Sequence, residues 1–357
     1  QIDIDVEVAG EGEGAVVQKA ALVRTARKIM QGELHLPDYV FPPDQTDQAA
    51  QAREDYPSEE ITIIVPTSAG GGNDTMARVL SRKLGPQLGQ SIAVDNRTGA
   101  NGSVAAEYVA SARPDGYTLM FGYIATHGIN PIMQDVRYDP LTDFAPVGLI
   151  GYSPSVLVVR AGQGLHTARD LLEHLRERPQ DMNYASAGEG TVPHLAAEIL
   201  LSRHGLVAEG STYAGAAPAL NALVRGQAQW MVPSLFSALP YLKTGKLVAL
   251  AVAGQHRLPS WPQLPTFGEL DLDELDLTQW YGLFAPAHTP QSVLTGLNKA
   301  LNQVLADSET VARLLADGVQ VQTSTPQQLG QHVQSELRHW RRVLEGFHFA
   351  EAMDQAA

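Results

Sequence analysis

From Glu60 onward, short runs of β-branched residues alternate with longer helical stretches, and the turns that join them are rich in glycine. This rhythm excludes all-helical and all-β architectures and predicts βα units around a mainly parallel sheet. Ile61-Thr62-Ile63-Ile64-Val65 reads as a buried strand, followed by a glycine-rich turn and a helix with the apolar stripe Met76, Val79, Leu80, Leu84 and Leu88. Ile92-Ala93-Val94 and Tyr117 to Phe121 continue the pattern around a helix over 103–112, and Val156 to Val159, Met182 to Ala185, Ser211 to Tyr213, Gln229 to Val232 and Val248 to Ala253 repeat it. Thr167 with Asp170, Pro193, Thr289-Pro290 and Thr325-Pro326-Gln327-Gln328 are helix-start signals.

Residues 1–57 have a different character. Ile2 to Val8 alternates apolar and acidic residues as a half-buried strand does, and Ala21 to Met30 reads as a second buried element. Pro37 to Pro57 is rich in Pro, Asp, Gln and Glu, the composition of an exposed linker.

Composition narrows the function. A net charge of -14 argues against a nucleic-acid surface. The absence of cysteine excludes disulfides, thiolate metal sites and Cys nucleophiles, and suits an oxidising compartment. No stretch approaches the roughly 20 apolar residues needed to cross a bilayer. The 11 histidines are dispersed with no metal-ligand spacing, no Ser lies in a nucleophile elbow, and no cofactor signature is present, so no catalytic or metal residues are expected.

Two loops carry the chemistry. In Pro66-Thr67-Ser68-Ala69-Gly70-Gly71-Gly72-Asn73-Asp74, successive glycines let a ligand approach backbone N–H groups at the positive end of the following helix. Thr67 and Ser68 add hydroxyls, and Asp74 falls in the first helical turn. Ser186-Ala187-Gly188-Glu189-Gly190-Thr191 repeats the design in the other half of the chain. Two such loops facing each other would clamp a small anion. The expected ligand-binding residues are Thr67, Ser68, Gly70, Gly71, Asp74, Thr126, His127, Ser186, Ala187, Gly188, Thr191 and His194. Glu189 would repel a carboxylate unless it points outward or meets a ligand ammonium. Trp280 to Phe284 reads as a core strand.

From about Ser58 to Val343 the chain resembles the Bug family, the substrate-binding proteins of tripartite tricarboxylate transporters. The resemblance runs through Pro66, Gly70, Gly71 and Asp74, Asn96 to Ala100, Pro114 to Leu119, Tyr138 to Pro140, Asp143 to Val147, and Tyr184 to Gly188. It continues through Gly190-Thr191, His194-Leu195, Tyr213 to Leu220, Pro240 to Leu250 and Trp280 to Pro286. It implies an α/β, two-lobe periplasmic-binding-protein fold of type II with a cleft, plus a short N-terminal extension. Lobe 1 would be 58–153 with 278–357 and lobe 2 would be 154–277, with crossings near Gly151 to Ser155 and Leu277 to Trp280. It also implies a small carboxylate ligand (di- or tricarboxylate, aromatic acid or acidic amino acid), delivery to a membrane permease, a periplasmic location and no catalysis. Thr67, Ser68 and Ala69 stand where the family has an aromatic residue and a proline, which marks them as a selectivity region.

Residues 1 to about 41, especially Ile2 to Val8 and Ala20 to Leu34, are similar to the tail of PrpF-type isomerases, which include oxalomesaconate tautomerases. The reading is a gene-fusion remnant, weakly attached or partly disordered, in place of an export signal. Two alternatives follow from it, an isomerase of unsaturated tricarboxylates and a cytoplasmic carboxylate sensor.

Overall fold

The computed structural model describes residues 4–9, 16–22, 56–272 and 277–346, and the chain forms two compact units, Gln1–Tyr56 and Pro57–Ala357. In the first unit, β1 (Ile4–Ala9) pairs antiparallel with β2 (Val16–Leu22), Ile4 opposite Leu22, with a register shift between Glu7 and Val8. The second element expected at Ala21 to Met30, the linker from Pro37 and the isomerase-like stretch fall mostly outside the described residues.

The second unit begins as the periodicity predicts. β3 (Ile61–Val65), α1 (Gly72–Leu88), β4 (Ile92–Asn96), α2 (Ser103–Ala110) and β5 (Thr118–Tyr123) follow in order. A π-helical turn (Ala125–Ile129), α3 (Asn130–Met133) and β6 (Phe144–Ser153) complete this part. The β-branched run of β3 is buried because it lies between β4 and β5, both parallel to it, and Met76, Leu80 and Leu84 of α1 are buried in turn.

The chain then crosses to a second sheet built from β7 (Val156–Arg160), β8 (Tyr184–Ser186), β9 (Gly210–Thr212), β10 (Trp230–Met231) and β11 (Leu247–Val252). Between these strands run α4 (Ala168–Glu177), α5 (Val192–His204), α6 (Ala216–Val224) and α7 (Leu235–Lys243). It returns through β12 (Gln279–Pro286), α8 (Gln291–Ala306), α9 (Ser308–Ala316), β13 (Gln320–Val321) and α10 (Pro326–Gly346). Capping boxes start α4, through Thr167 and Asp170, and α10, through Thr325 and Gln328.

The six-stranded sheet has the order β13-β6-β12-β5-β3-β4 and the five-stranded sheet β11-β7-β10-β8-β9. Both are mixed, which corrects the expectation of a mainly parallel sheet. β12 runs antiparallel to both β5 and β6, β13 to β6, and β7 to both β10 and β11. In the six-stranded sheet the return crossing supplies two of these pairings: β12 inserts between β5 and β6, and all eight of its residues, including Trp280 to Phe284, are buried. The crossing strands are also tied by side chains, Ser155 Oγ donating to the Leu277 carbonyl and the Phe236 N–H donating to Ser153 Oγ. Glu336 on α10 accepts from the indole N–H groups of Trp280 and Trp340.

Candidate functional site

In open α/β sheets, ligand sites form where parallel strands end and their following loops converge. β3, β4 and β5 end together in the first sheet, and β8, β9 and β10 in the second. The two glycine-rich loops follow the central strands of these triplets, β3 and β8.

The first loop is held in shape by the acidic residue of its own helix. Gly70, at φ +79°, donates its N–H to Asp74 Oδ2 at 2.9 Å, and Gly71 donates to the Ser68 carbonyl at 3.2 Å. Arg78 Nε lies 2.9 Å from Asp74 Oδ1 and 3.0 Å from Oδ2. Burial alone would raise the Asp74 pKa, but the hydrogen bonds from Arg78, Gly70 and Asn96 outweigh it and hold the carboxyl below its ordinary value. Asn96, the last residue of β4, accepts from Arg78 Nη2 and donates to the Thr67 carbonyl at 2.9 Å. Asp74 thus spends its acceptors on the loop. Arg78 and Asn96 are not among the ligand-binding residues expected from sequence, although the i,i+4 spacing of Asp74 and Arg78 is a readable pairing signal. Thr67 Oγ1 is buried without a hydrogen-bond partner among the described residues.

The second loop is built similarly. Thr191 Oγ1 donates to the Gly188 carbonyl at 2.6 Å, Gly190 N–H donates to His194 Nδ1 at 3.2 Å, and Gly188 and Gly190 have φ of +134° and +71°. Burial lowers the His194 pKa against the pull of Glu198 and Glu189, so the ring is a neutral acceptor at Nδ1. Ser186 is buried, its Oγ 3.4 Å from Thr212 Oγ1, and Ala187 is half-buried. Glu189 is exposed.

Each loop reaches the opposite sheet's side of the chain. Ser68 Oγ lies 3.5 Å from the Ala214 carbonyl, in the turn after β9, and a Cβ added to Gly190 would stand 3.5 Å from Met133 Sδ at the end of α3. Neither α1 nor α5 has a side-chain cap, and α6, which follows Gly215 in the same turn as Ala214, also starts uncapped. Their first N–H groups are left for a ligand or water. The Tyr213 to Gly215 turn is therefore a third element of this edge, carrying the same glycine-before-helix signal as the two loops. A crevice of about 490 Å³ runs behind the first loop, lined by Gly70, Thr75, Phe236, Tyr241, Lys243 and Arg313. Its two cations are engaged, Lys243 with the Ala316 carbonyl and Arg313 with Asp317.

Thr126 and His127 are placed differently from the expectation of cleft-facing side chains, since both are 0% exposed. The His127 ring stacks on Phe284 with centroids 4.0 Å apart, and its Nδ1 lies 2.9 Å from Thr126 Oγ1. Burial pushes its pKa down to about 3. Among the described residues no group of three or more His, Cys, Asp or Glu is arranged to hold a metal, and no helix is long and apolar enough to cross a membrane.

Two α/β sheets joined by crossing strands, with glycine-rich loops at the ends of parallel strands in each, are an architecture shared with periplasmic binding proteins, although a fold by itself assigns no function. A family profile described as the tripartite tricarboxylate transporter family receptor matches residues 76–348. The chain belongs to that family. It is 34% identical over 296 residues to a UPF0065 protein from the tcbD-tcbE intergenic region of Pseudomonas sp. (strain P51), covering 83% of this chain and 88% of that protein. It is 30% identical over 299 residues to protein BugT of Bordetella pertussis, covering 83% and 91%. Among solved structures, MatC of Rhodopseudomonas palustris with bound malate is 34% identical with a TM-score of 0.76, covering 81% of this chain and 99% of that one. An R. palustris protein with adipate is 32% identical with a TM-score of 0.78, covering 82% and 98%. The family is one of receptors, and the fold is that of periplasmic binding proteins such as BugD.

Proposed function

We propose that this chain captures a small carboxylate between two lobes, 58–153 with 278–357 and 154–277, and delivers it to the membrane permease of a tripartite tricarboxylate transporter from the periplasm. The observation that carries the reading is the pair of glycine-rich loops at the ends of parallel strands, each opening an uncapped helix whose first N–H groups have no side-chain partner. A carboxylate satisfies those groups without a cationic side chain. The unpaired, buried Thr67 hydroxyl adds a further donor to the first loop. The proposed contacts are Thr67, Ser68, Gly70, Gly71, Ser186, Ala187, Gly188, Thr191 and His194, with Asp74 shaping the first loop. The relatives solved with malate and with adipate support a carboxylate of modest size.

Calorimetry against di- and tricarboxylates, aromatic acids and acidic amino acids tests this. Binding of at least one acid, lost in Gly71→Val, is the expected result, because the new side chain would fill the approach to the loop backbone, where a Cβ already lies 3.1 Å from the Ser68 carbonyl oxygen. No binding to any acid, or a Gly71→Val variant that binds as before, would sink the reading. Cell fractionation with the intact gene tests the periplasmic location.

A further inference from the structure

The two glycine loops are anchored by the same device. In the first, the Gly70 N–H donates to the side chain of Asp74, four residues ahead on α1, at 2.9 Å; in the second, the Gly190 N–H donates to the side chain of His194, four residues ahead on α5, at 3.2 Å. Both glycines stand at a positive φ, +79° and +71°. The two acceptors differ in how they meet a proton. Despite burial, which would raise it, the Asp74 pKa is held below its ordinary value by Arg78 and the loop itself, so the carboxylate keeps accepting through mild acid. An imidazole accepts at Nδ1 only while it is neutral with its proton on Nε2, and it titrates closest to neutral pH of the ordinary side chains.

His194 is half-buried, so solvent protons reach it. Among the described residues, the titratable groups around it are Glu198 on its own helix, Glu189 in the loop and Tyr184 on β8, whose hydroxyl donates to Glu198. Burial lowers the His194 pKa, and Glu198 and Glu189 pull the other way. Met133 and Gln134, at the end of α3, face Gly190 and carry no charge; a Cβ on Gly190 would stand 3.5 Å from Met133 Sδ. A proton on Nδ1 turns the acceptor into a donor aimed at the Gly190 N–H, and two donors cannot share that position. Gly190, and the backbone that leads from it into α5, must then move.

We infer that His194 is the positioning residue of the second loop and that its protonation releases Gly190, so that the carboxylate is held near neutral pH and let go on acidification. The inference rests on the carboxylate reading above and adds regulation to it. Only one of the two loops yields, since Gly70 keeps its carboxylate partner. The sign of the effect is diagnostic. A cationic ring acting on the ligand by charge alone would tighten acid binding as pH falls, whereas a ring acting through the Gly190 N–H weakens it.

The test is calorimetry with malate and adipate between about pH 7.5 and 4.5, the range over which an imidazole charges, on the full chain, His194→Asn and His194→Phe. Asparagine offers a non-titrating acceptor in place of Nδ1, and phenylalanine keeps a ring against Tyr184 while removing the acceptor. His194→Asn also corrects for protonation of the ligand and of every other group. The affinity of the unsubstituted chain relative to His194→Asn should fall by about tenfold across the range, the size of one hydrogen bond. His194→Phe should be weak already at neutral pH and keep a constant ratio to His194→Asn. A ratio for the unsubstituted chain that stays constant or rises on acidification overturns the inference. Hydrogen exchange of residues 186–195 in the ligand-free proteins reads the anchor directly: exchange at Gly190, relative to His194→Asn, should rise on acidification in the unsubstituted chain, and an unchanged value overturns the inference while the carboxylate reading stands. Failure of every acid to bind at neutral pH, before any acidification, overturns the carboxylate reading and the proposed release with it.

Discussion

The backbone N–H of Gly70 donates to the carboxylate of Asp74, four residues ahead on the first turn of α1, and the same carboxylate is gripped by Arg78 one turn further on. The first loop is thus closed on its own helix before any ligand arrives. Asp74→Asn keeps the shape of the side chain and removes its charge. The expected loss of stability is about 1 kcal/mol, because Arg78 is half in solvent and recovers part of its solvation, together with weaker acid binding as the loop relaxes. The folded-state pKa of Asp74 is lowered, so its stabilising contribution is present above the ordinary carboxylate range and lost only as pH falls through the folded value. The stability difference between the two proteins should therefore be constant from about pH 5 to 8, as melting curves across that range will show.

Gly102 marks a second constraint on the same loop. Its φ of +95° and the 2.8 Å approach of its missing Cβ to Pro66 leave no room for a side chain. Gly102→Ala should cost about 1–3 kcal/mol, the usual size of such strain. It should also weaken acid binding, since relief of the clash displaces Pro66. Chemical denaturation and calorimetry on one preparation measure both effects. A variant with native stability and affinity would show that the loop tolerates the displacement.

Much of this arrangement is legible locally and some of it is not. The βα rhythm, the glycine loops and the caps at Thr167 and Thr325 each depend on residues within one or two turns, and the structure places them where spacing puts them. The mixed sheets are invisible to periodicity, because β12 pairs Gln279 with Ser153 across more than a hundred residues and a buried strand looks alike in either direction. The burial of His127 has the same origin, as its stacking partner Phe284 arrives with β12. Thr289 is not the cap its Thr-Pro sequence promises: Pro290 occupies that position, and the Thr289 hydroxyl turns back to the Pro286 carbonyl. Asn101, at a left-handed φ of +53°, is held by Asn130, a partner 29 residues away in sequence.

Two buried imidazoles should contribute to the acid limit of stability. Burial lowers the pKa of His127 to about 3 and of His332 to about 4, against an ordinary value of 6.5. An unfolded imidazole takes up a proton at a higher pH than these folded ones, so their contribution to stability is full above about pH 6.5 and declines as pH falls toward the folded values. The melting temperature should drop between about pH 6.5 and 4. A His127→Phe/His332→Phe double variant, which keeps the ring packing against Phe284 and Trp280, should show a shallower drop. An unchanged slope would mean that the acid sensitivity arises elsewhere.

Gly72, the first residue of α1, offers a way to separate folding from closure. A Cβ there would meet Phe236 Cδ1 at 2.8 Å and Ser237 Oγ at 3.0 Å, both on α7 beside the other sheet. Gly72 has no positive φ, and alanine is the better helix former, so nothing within α1 opposes the substitution. The obstacle lies only in the approach of α7. If the two lobes separate without ligand and close around it, Gly72→Ala leaves the melting temperature of the ligand-free protein near its original value and weakens acid binding by about tenfold, equivalent to about 1.4 kcal/mol spent displacing Phe236. If the lobes hold one fixed spacing, the same clash is present in both states, and the ligand-free protein itself melts earlier. Calorimetry of binding and of unfolding on a single variant therefore distinguishes a closing cleft from a rigid one.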